Sequence, residues 1–194
     1  MNYPLNISFK ILALARQLAL TDVAGNLIFY VKQKAFKLKE NVTVFADREQ
    51  TRQLYTIKAD KVLDFSARYH FADEHGVAHG SIRRRGMKSL WKAHYEIFDG
   101  EEVVLTISEE NAWTKVLDGL FGEIPVLGMF TGYLFHPAYI VARTNGQPVL
   151  RLAKQPAFFE GKFTVEQQGQ LTSDEERRAL LSLIMMILLE RSRG

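Results

Sequence analysis

Near its C-terminal end the chain carries a run with no polar side. From Ala179 to Leu189 there are eleven residues, nine of them Leu, Ile or Met, and Ser182 is the one polar member. A helix that is apolar all round must be enclosed all round. Thr172 and Ser173 each have a glutamate three residues on, Glu175 and Glu176, so two capping boxes compete to start it. Asp174, Glu175 and Glu176 suit the positive end of its dipole, and Arg191 and Arg193 the negative end. Burying nine large side chains at about 2 kcal/mol each is worth on the order of 15–20 kcal/mol before conformational entropy. A bilayer core needs roughly 20 apolar residues, so this run is about half a span and reads as a buried helix.

The rest of the chain alternates with period two, which marks half-buried strands. In Asp64–Phe71 one face carries Phe65, Ala67, Tyr69 and Phe71, and the other carries Asp64, Ser66, Arg68 and His70. Ala93–Ile97 alternates likewise. Further strands are expected at Asn26–Lys34, Thr43–Ala46, Arg52–Lys58, Ala78–Arg84, Val103–Ser108, Tyr139–Arg143, Val149–Leu152 and Lys162–Gln167. Asp22, Asp47, Asp73 and Asp99 recur at steps of 25, 26 and 26 residues in turn-forming contexts. Two strands and two turns fit each step, so these turns should share one end of an antiparallel meander. Asn145-Gly146 is a further hairpin signal, suited to a type I′ turn with positive φ at both residues. Asn111–Phe121 breaks the period and reads as a short helix capped by Asn111.

One face of an open sheet cannot surround the C-terminal helix. A mainly β fold can: a closed antiparallel barrel of about twelve strands, with the buried hydrophobic helix through its centre. Closure also removes unpaired strand edges. The expected organisation is a single domain over residues 1–194. A filled lumen leaves no internal ligand cavity, so partners must bind outside or at the rims.

Composition narrows the function classes. There is no cysteine, hence no disulfide and no thiolate nucleophile or metal ligand, and 47% hydrophobic residues exclude a disordered chain. The opening Met1-Asn2-Tyr3-Pro4 lacks a basic signal-peptide region, and Lys10, Arg16 and Gln17 interrupt the apolar stretch that follows. A soluble, cytoplasmic protein is expected. A net charge of +3 is too slight to indicate nucleic acid.

Two basic runs carry the best candidate chemistry. Arg83, Arg84, Arg85, Lys88 and Lys92 cluster without an acid and are interleaved with Met87, Leu90 and Trp91; Lys32, Lys34, Lys37 and Lys39 form the second run. Cations beside an indole suit an anionic membrane surface or another phosphorylated ligand, with Trp91 at headgroup depth. Such binding would place the protein at the membrane periphery. The plainer reading is a solvated barrel rim, with aliphatic stems on the wall and Trp91 in the core. The acids from Asp99 to Glu110 could pair with these runs and cancel the patch. His70, His75, His79 and His94 mimic metal-ligand spacing but fall in turns or on polar faces, so exposed histidines are expected and neither metal nor cofactor is. No nucleophile elbow, phosphate loop, dinucleotide turn or zinc-protease motif is present, and adjacent glutamates on a strand point to opposite faces. A non-catalytic binding or scaffold protein is therefore expected, with a protein partner left open. The alternatives are an enzyme acting on a small phosphorylated or lipid substrate through carboxylates gathered at a rim, and a weak, sequence-tolerant nucleic-acid binder. Gly128–Pro137, rich in aromatics, is either a rim site or core packing.

Several segments together resemble the LURP-one-related family. They are Leu20-Thr-Asp-Val-Ala-Gly-Asn-Leu-Ile-Phe-Tyr-Val-Lys32, Lys34-Ala-Phe-Lys-Leu38, Arg83-Arg-Arg-Gly-Met-Lys-Ser-Leu-Trp91, Phe158-Phe-Glu-Gly-Lys-Phe163 and the final apolar helix. The similarity spans roughly Asn6 to Leu189. It implies the tubby C-terminal-like fold shared with tubby proteins and phospholipid scramblases, a twelve-stranded barrel around a central helix. It implies little about activity, since a fold is not a function. Phosphoinositide binding belongs to the tubby branch, and no motif here carries that branch's lipid-contacting residues over position by position.

Overall fold

The computed structural model describes residues 1–12, 15–34, 41–61, 67–85, 94–110, 138–156 and 161–191. Twelve strands and one helix follow in order. They are β1 (Leu5–Leu12), β2 (Ala15–Thr21), β3 (Leu27–Lys34), β4 (Asn41–Phe45), β5 (Gln53–Ala59), β6 (Arg68–Asp73), β7 (Ala78–Arg84), β8 (His94–Asp99), β9 (Glu102–Glu109), β10 (Ala138–Arg143), β11 (Pro148–Gln155), β12 (Gly161–Gln167) and α1 (Ser173–Glu190). Each strand pairs antiparallel with its sequence neighbours, and β1 pairs with β12 to close the barrel, Leu5 opposite Val165 and Ile7 opposite Phe163. The expected barrel around a central helix is the observed one.

Ten strands lie within a few residues of where alternation placed them. The first two were not expected from the sequence. Lys10, Arg16 and Gln17, read as interruptions of an apolar stretch, are the outward and rim positions of β1 and β2. Leu5, Ile7, Phe9, Leu18 and Leu20 form their buried face. The expected Asn111–Phe121 helix and the Gly128–Pro137 loop lie outside the described residues, as do Arg193 and the start of the expected Asp64–Phe71 strand.

α1 is buried continuously from Arg178 to Leu188 and shares one core cluster with the inward residues of the wall, among them Phe9, Val44, Phe71, Ile97 and Leu152. Of its two possible capping boxes, Thr172–Glu175 forms. The Glu175 amide donates to Thr172 Oγ1 at 3.3 Å, and the Thr172 amide donates to the Glu175 carboxylate at 2.9 Å. Ser182, the one polar break in the apolar run, donates its hydroxyl to the Arg178 carbonyl at 2.8 Å, so it is satisfied within the helix. Arg191 is the C-cap, and no basic residue lies in the last turn itself.

The aspartate step has a structural cause. In the β2–β3, β4–β5, β6–β7 and β10–β11 turns, the fourth residue donates its amide to the carbonyl of the first and takes a left-handed conformation. These residues are Gly25, Gln50, Gly76 and Gly146, with φ of 84°, 62°, 81° and 88°. All three carboxyls are held below their ordinary range, Asp22 first by the Asn26 side chain, Asp73 first by the His79 side chain and Asp47 first by the Thr51 amide, and each also accepts backbone amides from residues two to five positions on. Asn145 has no positive φ. It accepts the Gln147 amide with its side chain and leaves the left-handed position to Gly146, which corrects the type I′ expectation.

All these turns lie at one end of the barrel, the turn rim, where α1 enters. At the opposite end, the exit rim, α1 leaves beside Glu190. β3 and β7 both run toward the exit rim and finish there, at Lys34 and Arg84. Among the described residues the β3–β4 ladder shows one bridged pair, Tyr30 opposite Phe45, with Gln33 Nε2 donating to the Asn41 carbonyl at 2.6 Å.

Candidate functional site

Strand parity splits the expected basic cluster. Ile82 points into the core, so on β7 Arg83 faces outward and Arg84 faces into the exit-rim mouth. Arg83 meets Glu96 at 2.9 Å and lies over the Phe98 ring at 5.1 Å, beside Arg68 at 4.1 Å from the same ring. Arg85 approaches the other oxygen of Glu96 at 3.6 Å. Arg84 turns inward to Glu190 at 3.9 Å. These three arginines are therefore partnered structural groups, not one open cationic patch. Lys32 is exposed on the outer wall, and only the backbone of Lys34 is described. Lys37, Lys39, Lys88, Trp91 and Lys92 lie outside the described residues.

The acids from Asp99 to Glu110 do not cancel those arginines. Asp99 takes Arg178 at 2.7 Å, Glu101 takes Arg68 at 2.9 Å, and Glu110 takes Arg151 at 3.0 Å, an arginine also held by Glu166. Arg178 reaches Asp99 from the helix by crossing Gly80, where a Cβ would stand 2.6 Å from its Nε and 2.4 Å from the Phe98 carbonyl oxygen. His70 and His75 are exposed as expected. His79 is not: its Nε2 faces Asp73 at 3.1 Å, Arg177 approaches its Nδ1 at 3.2 Å, and Tyr55 meets its ring edge-on. His94 is half-buried. Among the described residues no three His, Asp or Glu side chains are grouped to hold a metal ion. These contacts moor the start of the helix to the turn rim, together with the Arg143–Glu175 pair, which holds the Glu175 carboxyl below its ordinary range.

The chemistry not consumed in this way collects at the exit rim. Between α1 and strands β10 to β12 lies an open cavity of about 170 Å³. Phe163, Met186 and Ile187 make its apolar lining, and Tyr139, Lys154, Glu190 and Arg191 its polar edge. Glu190 also accepts a hydrogen bond from the Tyr95 hydroxyl. Burial, then the nearby Glu190 and Glu109 carboxylates, push the Tyr139 phenol up to about 12, so it stays a neutral donor. Tyr95 is raised as well, by burial first and then by its bond to Glu190. Arg191 lies over the Phe9 ring at 5.9 Å.

Of the polar mouth residues, the sequence singled out Arg84 as part of a basic cluster and Arg191 only as a charge suited to the helix dipole; Tyr95, Tyr139, Lys154 and Glu190 did not stand out as site residues. Parity was the available signal: Leu150, Leu152 and Lys154 share one phase on β11, as do Leu105, Ile107 and Glu109 on β9. Polar residues in phase with core residues at a strand's end mark a barrel mouth.

Residues 27–124 match the family model described as LURP-one-related. A search of curated proteins returns no match. Among solved structures, the X-ray structure of a protein from Arabidopsis thaliana is similar at 15% identity, covering 95% of this chain and 90% of that one, with a TM-score of 0.49.

Proposed function

The chain belongs to the LURP-one-related family, and from that premise we propose that it is a non-catalytic binding module that meets anionic phospholipid headgroups at its exit rim. One observation carries the reading. The helix occupies the lumen, and the strands that lead into both lysine-bearing runs, β3 and β7, finish at the same rim. Four inter-strand steps separate those strands, about 19 Å around the wall at ~4.8 Å each. A flat acidic surface laid against that rim would lie beside the ends of both strands, and each cation near such a surface is worth about 1 kcal/mol. The non-catalytic part is supported by what the carboxylates do: Glu96, Asp99, Glu101, Glu110 and Glu190 are each occupied by an arginine. No helix among the described residues is long and apolar enough to cross a membrane, so binding would be peripheral.

Co-sedimentation with phosphatidylcholine vesicles, with and without phosphatidylserine, tests this. The parent should pellet with the acidic vesicles only, less so as salt rises. Lys37→Glu and Lys39→Glu combined with Lys88→Glu and Lys92→Glu should abolish pelleting. Lysines are chosen because reversing Arg83 or Arg84 would break the pairs with Glu96 and Glu190 and confound folding with binding. Equal pelleting of parent and quadruple variant, or none by either, would overturn the proposal.

A further inference from the structure

We propose that the exit-rim cavity is a binding site for a small anionic amphiphile, a phosphate or carboxylate head on a short aliphatic stem. This goes beyond the vesicle reading and uses other residues. The cavity's 170 Å³ holds five or six water-sized groups at roughly 30 Å³ each. Its floor is apolar, formed by Phe163 from β12 and by Met186 and Ile187 from the last turns of α1. Water there would meet few partners, whereas a short alkyl stem would cover the floor.

Charge decides the head group. Among the described residues Glu190 is the one acid lining the cavity, and it is already engaged by the Tyr95 hydroxyl and Arg84. Among the described residues, the two cations of the lining have no carboxylate partner. Lys154 sits in phase with Leu150 and Leu152, so its stem is held inward while its ammonium stands at the edge. Arg191 lies over the Phe9 ring and pairs with no acid among the described residues. Tyr139 adds a phenol that remains a donor. The carbonyl end of the helix, which would repel an anion, is moderated because the Arg191 amide caps the Ile187 carbonyl at 3.0 Å. At the same rim Arg16 of β2, in phase with Leu18 and Leu20, has a buried Nη1 without a hydrogen-bond partner. An unpaired guanidinium and ammonium flanking an apolar floor are complementary to a charged oxygen cluster on a carbon stem, since charge-assisted bonds to phosphate are the strong ones. An ammonium ligand would meet like charge, and a neutral alcohol would leave both cations unmatched.

The test is calorimetric titration of the full chain with n-butyl phosphate, inorganic phosphate, n-butylamine and butan-1-ol. Butyl phosphate should bind saturably. Inorganic phosphate, lacking the stem, should bind at least about tenfold more weakly, because each buried methylene contributes about a fourfold gain. Lys154→Gln and Arg191→Gln should each weaken butyl phosphate by about tenfold or more, the loss expected for a hydrogen bond to a charged group. Lys154→Gln lies near the end of β11 rather than on the helix, so it reports even if Arg191→Gln disturbs the helix end. The lysine reversals at 37, 39, 88 and 92 should leave butyl phosphate binding as in the parent, which separates failure of this site from failure of the vesicle reading. No saturable binding of butyl phosphate, equal binding of butylamine, or binding unchanged in both Gln variants overturns the proposal.

Discussion

Truncating α1 on opposite sides gives the sharpest test of enclosure. At about 100° per residue, Leu181 and Met185 lie about 40° apart on one side of the helix, and Leu183 lies roughly opposite both. All three are fully buried, as are Leu180 and Leu188. In a helix lying on a sheet, one side would tolerate alanine. Here each of Leu181→Ala, Leu183→Ala and Met185→Ala removes three heavy atoms from a closed interior. The transfer part is about 2.4 kcal/mol at ~0.8 kcal/mol per methylene-sized group, and the residual cavity raises the range to about 2–5 kcal/mol. For a chain of this length that lowers Tm by about 5–20 °C at 2–4 °C per kcal/mol. Urea titration followed by far-UV circular dichroism measures it. Val77→Ala, at a position 55% exposed in a turn, serves as the control and should stay within about 0.5 kcal/mol of the parent. A cost below about 1 kcal/mol at any one of the three helix sites would mean that one side of the helix is free, and the enclosure reasoning fails.

Four further outcomes are expected. Gly80→Ala should destabilise far more than Gly76→Ala in thermal melts: both have positive φ, but a Cβ at Gly80 collides with Phe98 and Arg178 while one at Gly76 meets nothing within 4 Å. Thr172→Ala should cost about 1 kcal/mol in urea titration through loss of the cap. Glu175, whose folded carboxyl is held low by Arg143, contributes stability that is present above the ordinary carboxylate range and lost as pH falls through its lowered value; Glu175→Gln should flatten that acid limb of stability against pH. Tyr139, raised to about 12, contributes stability that is complete below about 10 and lost as pH climbs through 12, so ultraviolet titration of phenolate should show it ionising late, a step absent in Tyr139→Phe.

The barrel was legible because its signals are local. Ile57, Phe71, Ile97 and Leu105 each follow the alternation of one strand, and the Asp–Gly turns mark where strands reverse. β1 was harder to see: its alternation, Leu5, Ile7 and Phe9 against Asn6, Ser8 and Lys10, lies at the start of the chain and closes on β12, more than 150 residues away. The cluster Arg83-Arg84-Arg85 was legible as charge and misleading as a surface. Successive strand residues face opposite ways, so neighbours in sequence became members of two different sites.

Composition and periodicity alone determined that an all-round apolar helix needed an all-round wall, because burial is a demand each segment carries in its own residues. Which cations are spent was decided only by tertiary structure. Glu96 comes from β8 to hold Arg83, Glu190 returns from the helix end to hold Arg84, and among the described residues Lys154 and Arg191 are left without an acid beside a pocket. Charge pairing depends on distances of a few ångströms between segments far apart in the chain, and those distances exist only once the barrel has closed.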